Sequence, residues 1–513
     1  MDPFSIRTRF WVSLGSNIIR AVLGFLSGLI IARGLSPSGY GDLMFLLGSF
    51  LSIRMLLDMG SSSAFYTFIS RRPRGRGLYL FYFTWLAIQF TFTTVVVALV
   101  LPKEVVTRIW LGHPRSLVLL ALLASFLQQQ VWQTISQVGE ASRRTVKVQF
   151  LGLVVAATHL ALVLTMLAWD WMTVGRILLL IFGEYAAATV VSYRYLKGGR
   201  EAEEGMEDGF QPFREIVAEF WGYCKPLVLA SWVIFFADFA DRWLLQRFGG
   251  AAQQGYFQIA NQVAAVSLLA TVSILNVFWK EIAEAGERGD HAVVASLYHK
   301  VNRGLVILGA VLSGFLIPWS DHVVRVLLGK PYALAIPVVA IMFLFPIHQA
   351  MGQIGGTMLL ASGHTRVYTV LSASVSIAAL PVSYLVLASP SAPLVPGLGL
   401  GAIGMAVKMV AVNMISVNLQ AWVISRRHRW KFEWFYQVAG IVVAVGLGFL
   451  SRLAVGAFWD LAPDIGKIRL VVPFLVSAFL YSISVCGIFW WKPAIAGTSR
   501  EEIRGMLKSL GLT

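Results

Sequence analysis

Five cations, Arg20, Arg54, Lys225, Arg242 and Lys408, lie inside long apolar runs of this chain, together with four carboxylates, Asp58, Glu184, Asp238 and Asp241. A charge facing hydrocarbon costs about 2.5–3.5 kcal/mol on translocon scales. Each of these groups is therefore expected to face a wet cavity or an opposite charge. Arginine offers a planar fork that suits phosphate, and lysine offers a point charge. The excess of cations points to the handling of an anion.

Spacing assigns some partners and leaves others open. Asp238 and Arg242 are four residues apart on one helical face, which fits a structural ion pair and a substrate contact equally. Asp241 adds a further carboxylate beside them. Asp58 stands one turn beyond Arg54 and can pair with it. Lys225 lies near the end of its run and can snorkel to the interface. No acidic residue lies three or four positions from Arg20 or Lys408, so both are expected to line a cavity. Glu184 is open to three roles: proton carrier, partner for Arg20, or structural hydrogen bonder. His159, also within a run, reads as a satisfied packing residue before a proton relay.

These residues need a membrane to be meaningful, and the composition supplies one. Apolar residues make up 57% and charged residues 13% of the 513, with a mean hydropathy of +0.71. A bilayer core of roughly 30 Å needs about 20 apolar residues in a helix. Runs of that kind occur near 10–32, 42–69, 78–101, 116–138, 148–168 and 175–196. Six more occur near 220–246, 253–278, 304–319, 334–360, 368–388 and 400–424, and two follow near 435–455 and 469–491. The expectation is an all-α polytopic membrane protein of about fourteen transmembrane helices.

With both termini in the cytoplasm, the clusters Arg71/Arg72/Arg74/Arg76, Arg143/Arg144/Lys147 and Arg426/Arg427/Arg429/Lys431 all fall on the inner face, as the positive-inside rule requires. The formal charge of +16 is then mainly a topology signal. Basic residues scattered over separate loops exclude nucleic acid as a partner. The first apolar run lacks a small-residue cleavage site and reads as an anchor, not a signal peptide. Cys224 and Cys486 both lie in spans, so no disulfide framework is expected. The chain carries no phosphate-loop, zincin or nucleophile-elbow motif, and no catalytic residue, metal or cofactor is expected.

An internal repeat organises the spans. Arg108–Leu117 reappears as Arg325–Leu334, 217 positions later, and Ala141–Thr145 as Ala361–Thr365, displaced by 220. Gly39-Tyr40 has its counterpart in Gly255-Tyr256, displaced by 216. Six spans separate each pair of landmarks, an even number, so the halves are parallel repeats. The expected domains are an N-terminal six-helix lobe over 1–196 and a cytoplasmic linker over 197–219. A second six-helix lobe over 220–425 follows, then two further helices and a tail over 426–513. The stretch 281–300 reads as an amphipathic helix on the inner membrane surface. Gly397, Gly399, Gly401 and Gly404 ahead of Lys408, and Gly355-Gly356, allow close helix approach. Pro226 and Pro381 are candidate hinge points.

The opening Gly15-Ser16-Asn17 through Ile31-Ala32-Arg33-Gly34-Leu35-Ser36-Pro37-Ser38-Gly39-Tyr40-Gly41 resembles that of bacterial polysaccharide flippases. These belong to the multidrug/oligosaccharidyl-lipid/polysaccharide exporter superfamily. Leu57-Asp58-Met59-Gly60, Asp241-Arg242-Trp243-Leu244-Leu245 and Leu328-Gly329-Lys330-Pro331-Tyr332 are similar to that family too, and the likeness covers most of residues 10–425.

The resemblance implies two six-helix lobes forming a V around a central cavity with alternating access. It also implies O-antigen or exopolysaccharide export at the bacterial inner membrane. The substrate implied is a polyprenyl-diphosphate-linked oligosaccharide moved from the cytoplasmic to the external leaflet, and the partners implied are membrane lipids and a polysaccharide polymerase. Arg20, Arg54 and Lys408, with Arg242 and Lys225, would meet the diphosphate. Asp58, Glu184, Asp238 and Asp241 would pair charges or couple an ion.

Rival readings are a peptidoglycan-precursor flippase and a drug or cation exporter of the same superfamily. A membrane glycan polymerase or ligase is a further rival, and it would work through external carboxylates at Asp42, Glu104, Asp321 or Asp460.

Overall fold

The computed structural model describes residues 6–71, 74–197, 212–268, 284, 288, 290–361, 364–392, 395–461, 469–496 and 500–501. Among them there is no strand. Among the described residues ten helices are long and apolar enough to cross a membrane, or twelve when each of two bent pairs counts as one span. Two of the ten, Trp11–Asp58 and Phe213–Ala265, have 48 and 53 residues. Each is about twice the length a bilayer core needs, and each is broken near its middle. Ser36 interrupts the first at φ 64, ψ 170, ahead of Pro37, which cannot donate to the preceding turn. Gly250 interrupts the second at φ 81, ψ 173. Each is long enough for two crossings, and within the described residues each of the fourteen apolar runs has a helical counterpart. Residues 269–278 of the eighth run lie outside the described residues.

The chain forms two compact units, Met1–Gly255 and Tyr256–Thr513. The first contains α1 (Ile6–Asp58), α2 (Ser61–Arg71), α3 (Arg76–Val95), α4 (Lys103–Ile109), α5 (Arg115–Phe126), α6 (Trp132–Ala141), α7 (Thr145–Ala168) and α8 (Val174–Lys197). It continues through α9 (Phe213–Cys224) and α10 (Val228–Leu244) into α11 (Gly250–Ala265). Most of the expected linker, 198–211, lies outside the described residues, and its last residues are already the first turns of α9. The second unit contains α12 (His291–Leu316), α13 (Ser320–Leu327), α14 (Ile336–Met342), α15 (Phe345–Ala361) and α16 (Thr365–Leu387). It ends with α17 (Gly401–His428), α18 (Phe435–Gly456) and α19 (Val471–Trp491). Of the stretch 281–300, Glu284 is helical and His291 onward is the first part of α12, while most of 281–289 lies outside the described residues.

Large apolar side chains cover the outside. Leu99, Leu229 and Phe458 are 77%, 76% and 83% exposed, which is affordable in lipid and costly in water. The helix interfaces are sealed differently. In the first unit Phe65, Tyr82 and Phe220 form an aromatic cluster in which the Phe65 and Tyr82 rings stack at 4.0 Å. In the second, α18 lies so close to α12 that a Cβ on Gly448 would overlap the Gly314 carbonyl oxygen. Small residues at a crossing let two backbones approach in this way.

Two of the three pairs of repeat landmarks occupy matching positions, one in each unit. Gly112 and Gly329 both adopt positive φ, +95° and +88°, where a side chain would be strained. A proline follows two residues after each, Pro114 and Pro331, ahead of the next helical turns. Thr145 and Thr365 each begin a long span, α7 and α16.

Candidate functional site

In the first unit the charged residues of the membrane interior sort by what they touch. α7 and α10 each pack against α1, and this brings Arg20, Gln149, Ser52, Asp238 and Arg242 to helix interfaces. Arg20 Nη2 donates to Gln149 Oε1 at 3.0 Å, and also to Asn17 Oδ1 one turn before it. Gln149 Nε2 in turn donates to Glu140 Oε1 at 3.4 Å. Neutral amides thus hold the guanidinium, with a carboxylate one residue further out. Gly152 on α7 leaves the space for it, since a Cβ there would run into the Arg20 side chain.

Arg242 is held by a carboxylate. Its Nε donates to Asp238 Oδ2 at 3.1 Å and its Nη2 to Oδ1 at 3.4 Å, and Ser52 Oγ donates to the same Oδ2 at 2.6 Å. The guanidinium lies over Gly48, where a Cβ would meet it. Asp241, the preceding residue, is partly exposed. Asp58 caps α2: its Oδ1 accepts the Ser61 hydroxyl at 2.9 Å and the Ser62 backbone N–H at 3.0 Å, and the Ser62 hydroxyl as well. This satisfies an N-terminal donor of the helix. Met59 and Gly60, at φ 47 and 85, make the turn.

Arg54 forms no hydrogen bond or ion pair among the described residues. It lines a cavity of about 30 Å³ with Gln89, Thr93, Ser125, Gln130 and several apolar side chains. Gln130 Nε2 donates to Gln89 Oε1 at 3.0 Å, and Gln130 is delivered by a wide π-type turn, Leu127–Val131, in line with α5 and α6. Such turns recur where a helix must re-aim a side chain. Lys225 sits exposed at the short break between α9 and α10.

Glu184 is turned toward His159. Glu184 Oε2 and His159 Nδ1 are 2.7 Å apart, linking α8 to α7, with side chains 7% and 21% exposed. In the second unit Lys408 is buried on α17, 7% exposed, where α17 packs against α14, α15 and α16.

No protein-family model matches the sequence, and no curated protein matches it. Solved structures do match its course. The lipid II flippase MurJ, in an inward closed conformation, superposes with a TM-score of 0.66 at 12% identity, covering 93% of this chain and 98% of that one. An inward-facing multidrug resistance MATE transporter of the MOP superfamily matches with a TM-score of 0.58 at 14% identity, covering 80% and 98%. A MOP superfamily transporter from Pyrococcus furiosus, described by a binding pocket of reverse polarity, matches with a TM-score of 0.53 at 12% identity, covering 82% and 94%.

The chain has the MOP transporter fold.

On that fold the sequence-derived cations separate into two kinds in the first unit. Arg242 touches a carboxylate, while Arg20 and Arg54 do not. The groups that sequence reasoning passed over are Gln149 and Glu140 behind Arg20, and Gln89 and Gln130 beside Arg54. Glutamines deep in apolar runs were the available signal, because a buried amide needs a partner.

Proposed function

We propose that the protein is a flippase that carries a polyprenyl-diphosphate-linked oligosaccharide from the cytoplasmic to the external leaflet of the bacterial inner membrane, for cell-surface polysaccharide assembly. The observation that carries this reading is the pair Arg20 and Arg54. Both stand in the membrane interior without a carboxylate in contact, while Arg242 and Arg74 are each matched by one, Asp238 and Glu219. A membrane interior that holds two arginines with no carboxylate in contact favours an anionic cargo over a cationic drug.

A sugar diphosphate cannot cross hydrocarbon without leaving its polar groups unsatisfied. Arg20, already oriented by Asn17 and Gln149, presents its guanidinium at little further ordering cost. Arg54 adds a second positive charge beside a polar-lined recess. Lys408, Arg242 and Lys225 are the further cations we assign to the headgroup. The lipid tail stays in the bilayer while the headgroup moves. With the cell interior negative, each negative charge carried fully outward gains about 2.3 kcal/mol per 100 mV, so the cargo's own charge assists export.

A second reading shares the mechanism and changes the cargo to a peptidoglycan precursor. The likeness to the lipid II flippase favours it, since that match takes in 93% of this chain against 80% for the MATE transporter. Proteoliposomes loaded with a polyprenyl-diphosphate oligosaccharide, and probed by a membrane-impermeant glycan-modifying enzyme, test both. Protein-dependent exposure of an oligosaccharide carrier supports the first cargo, and exposure of a muropeptide carrier alone supports the second. Exposure of neither overturns the flippase reading.

A further inference from the structure

We propose that the corner between α17 and α18 is a binding site for the headgroup of an anionic phospholipid, on the membrane face that the basic clusters assign to the cytoplasm. The site stands whatever the cargo is. Residues 426–431 carry four cations, Arg426, Arg427, Arg429 and Lys431, all exposed. None of the four forms an ion pair among the described residues. Glu433, the carboxylate nearest to them in the chain, is already engaged: Arg303 on α12 donates to its two oxygens at 2.8 and 2.5 Å.

Membrane topology alone does not account for this cluster. The connection after the sixth apolar run, 197–214, matches in repeat position the one after the twelfth, 426–434. The first carries Glu201, Glu203, Glu204, Glu207 and Asp208 beside its basic residues, while the second carries Glu433 alone. A connection at this place in the repeat is therefore not obliged to be so cationic. Nor does the helix dipole explain it. Arg426 and Arg427 lie in the last turn of α17, where cations offset the exposed carbonyls, but Arg429 and Lys431 lie beyond the helix end. In the first unit, by contrast, Arg74 is held by Glu219, and Lys147 lies over the Tyr195 ring at 5.2 Å.

The corner is held in place by its own contacts. Arg429 takes a left-handed conformation, φ 57, and both it and Trp430 donate their backbone N–H to the Ser425 carbonyl. The Trp430 ring stacks on His428 at 4.6 Å and packs against Tyr298 and His299 of α12. An anion therefore meets cations on a fixed backbone, at a low ordering cost. Trp422, Trp434 and Phe435 flank the cluster in the chain and are 43%, 57% and 63% exposed, and the Arg426 guanidinium lies over the Trp422 ring. Exposed aromatics beside cations mark the headgroup level of a bilayer. The corner thus offers apolar surface to acyl chains and guanidinium forks to phosphate. A phospholipid uses both, and a free phosphate uses one.

The test places the full chain in phosphatidylcholine bilayers with a trace of phosphatidylglycerol that carries a photoreactive group at its headgroup, and reads the labelled peptides. Label is expected to concentrate on residues 422–435, to be displaced by unlabelled phosphatidylglycerol but not by more phosphatidylcholine, and to fall as salt rises. The double variant Arg429→Gln/Lys431→Gln should lower the affinity about 25-fold, at about fivefold for each cation near the membrane surface. Arg143→Gln/Arg144→Gln, which removes the same charge from a first-unit cluster, should leave it unchanged. Label spread evenly over the basic segments, or equal losses in the two double variants, overturns the site. Inorganic phosphate displacing the label as well as phosphatidylglycerol does would reveal a plain anion site and overturn the lipid assignment. A polyprenyl diphosphate displacing it at lower concentration than phosphatidylglycerol would overturn that assignment too, in favour of the cargo's carrier. Should the first double variant fail to fold, the wild-type displacement series still decides.

Discussion

Ser52 and Asp238 join the two longest helical segments of the first unit: the Ser52 hydroxyl donates to the Asp238 carboxylate at 2.6 Å, and that carboxylate also holds Arg242. Two donor side chains, one from each helix, share one acceptor group, and Gly48 provides the gap in which the guanidinium lies. The Asp238–Arg242 pair therefore reads as an inter-helix fastening.

Asp238→Asn is expected to destabilise the protein by about 1–3 kcal/mol, the scale of a hydrogen bond to a charged group, because it leaves Arg242 without its counter-charge. Arg242→Gln should cost a similar amount. The double variant should cost less than the sum, since each residue's loss removes the other's need for a partner. Thermal unfolding in detergent, run as a double-mutant cycle, measures this. Additive losses would show that the two side chains do not act as a pair.

Arg20 gives the complementary case, in which neutral contacts leave the charge available. Gln149→Glu would set a carboxylate where the amide oxygen now lies 3.0 Å from the guanidinium. The expected outcome is a folded protein whose glycan exposure falls at least tenfold, as in Arg20→Ala, because about 1.5–3 kcal/mol of charge-assisted attraction now competes with the cargo. Gln149→Met tests orientation without neutralisation and should lower the rate less. Wild-type transport by Gln149→Glu would remove Arg20 from the cargo path.

What could be read from the chain follows from how far each signal reaches. Apolar length marks a span whatever its neighbours are, and so the runs near 78–101 and 435–455 coincide with α3 and α18. The repeated Leu-Gly-x-Pro turn was legible because positive φ at Gly112 and Gly329 restricts the residue type locally. Partners on separate helices leave no such trace. Nothing in the spacing of Glu184 points to His159, 25 residues earlier, and Asp58 seemed matched to Arg54 until the turn at Met59 carried Ser61 and Ser62 to it. The basic cluster around Arg74 reads as a topology signal in sequence. In the structure Arg74 is buried, with both Nη groups on Glu219 at 3.1 and 2.6 Å, a contact that requires α9 to fold back on α2 and α3.

Gly41 and Gly255 mark a close helix approach within the first unit. A Cβ on Gly41 would overlap the Ala251 carbonyl oxygen, and one on Gly255 the Pro37 carbonyl oxygen. Backbone cannot yield as a side chain can. Gly255→Ala is expected to cost about 1–3 kcal/mol, as overpacking usually does. Gly304→Ala, within α12 where a Cβ meets nothing within 4 Å, should be neutral or stabilising by about 0.5–1 kcal/mol. Unfolding temperatures of the two variants compare directly, and equal effects would contradict the packing.

Arg54 separates charge from geometry. Its recess is small, about 30 Å³, with room for water, and under the proposed function a phosphate oxygen would approach from the recess mouth. A guanidinium can donate two parallel hydrogen bonds to a phosphate, while an ammonium supplies only a point charge. If the diphosphate is bound through that fork, Arg54→Lys should lose nearly as much transport as Arg54→Gln despite keeping its charge. If attraction alone matters, Arg54→Lys should stay close to wild type at low salt and decline as salt screens it. Initial rates of glycan exposure across a salt series distinguish the two. Arg54→Gln matching wild type throughout would show that the charge at this position serves neither purpose, leaving Arg20 as the cation that recognises the headgroup in the first unit.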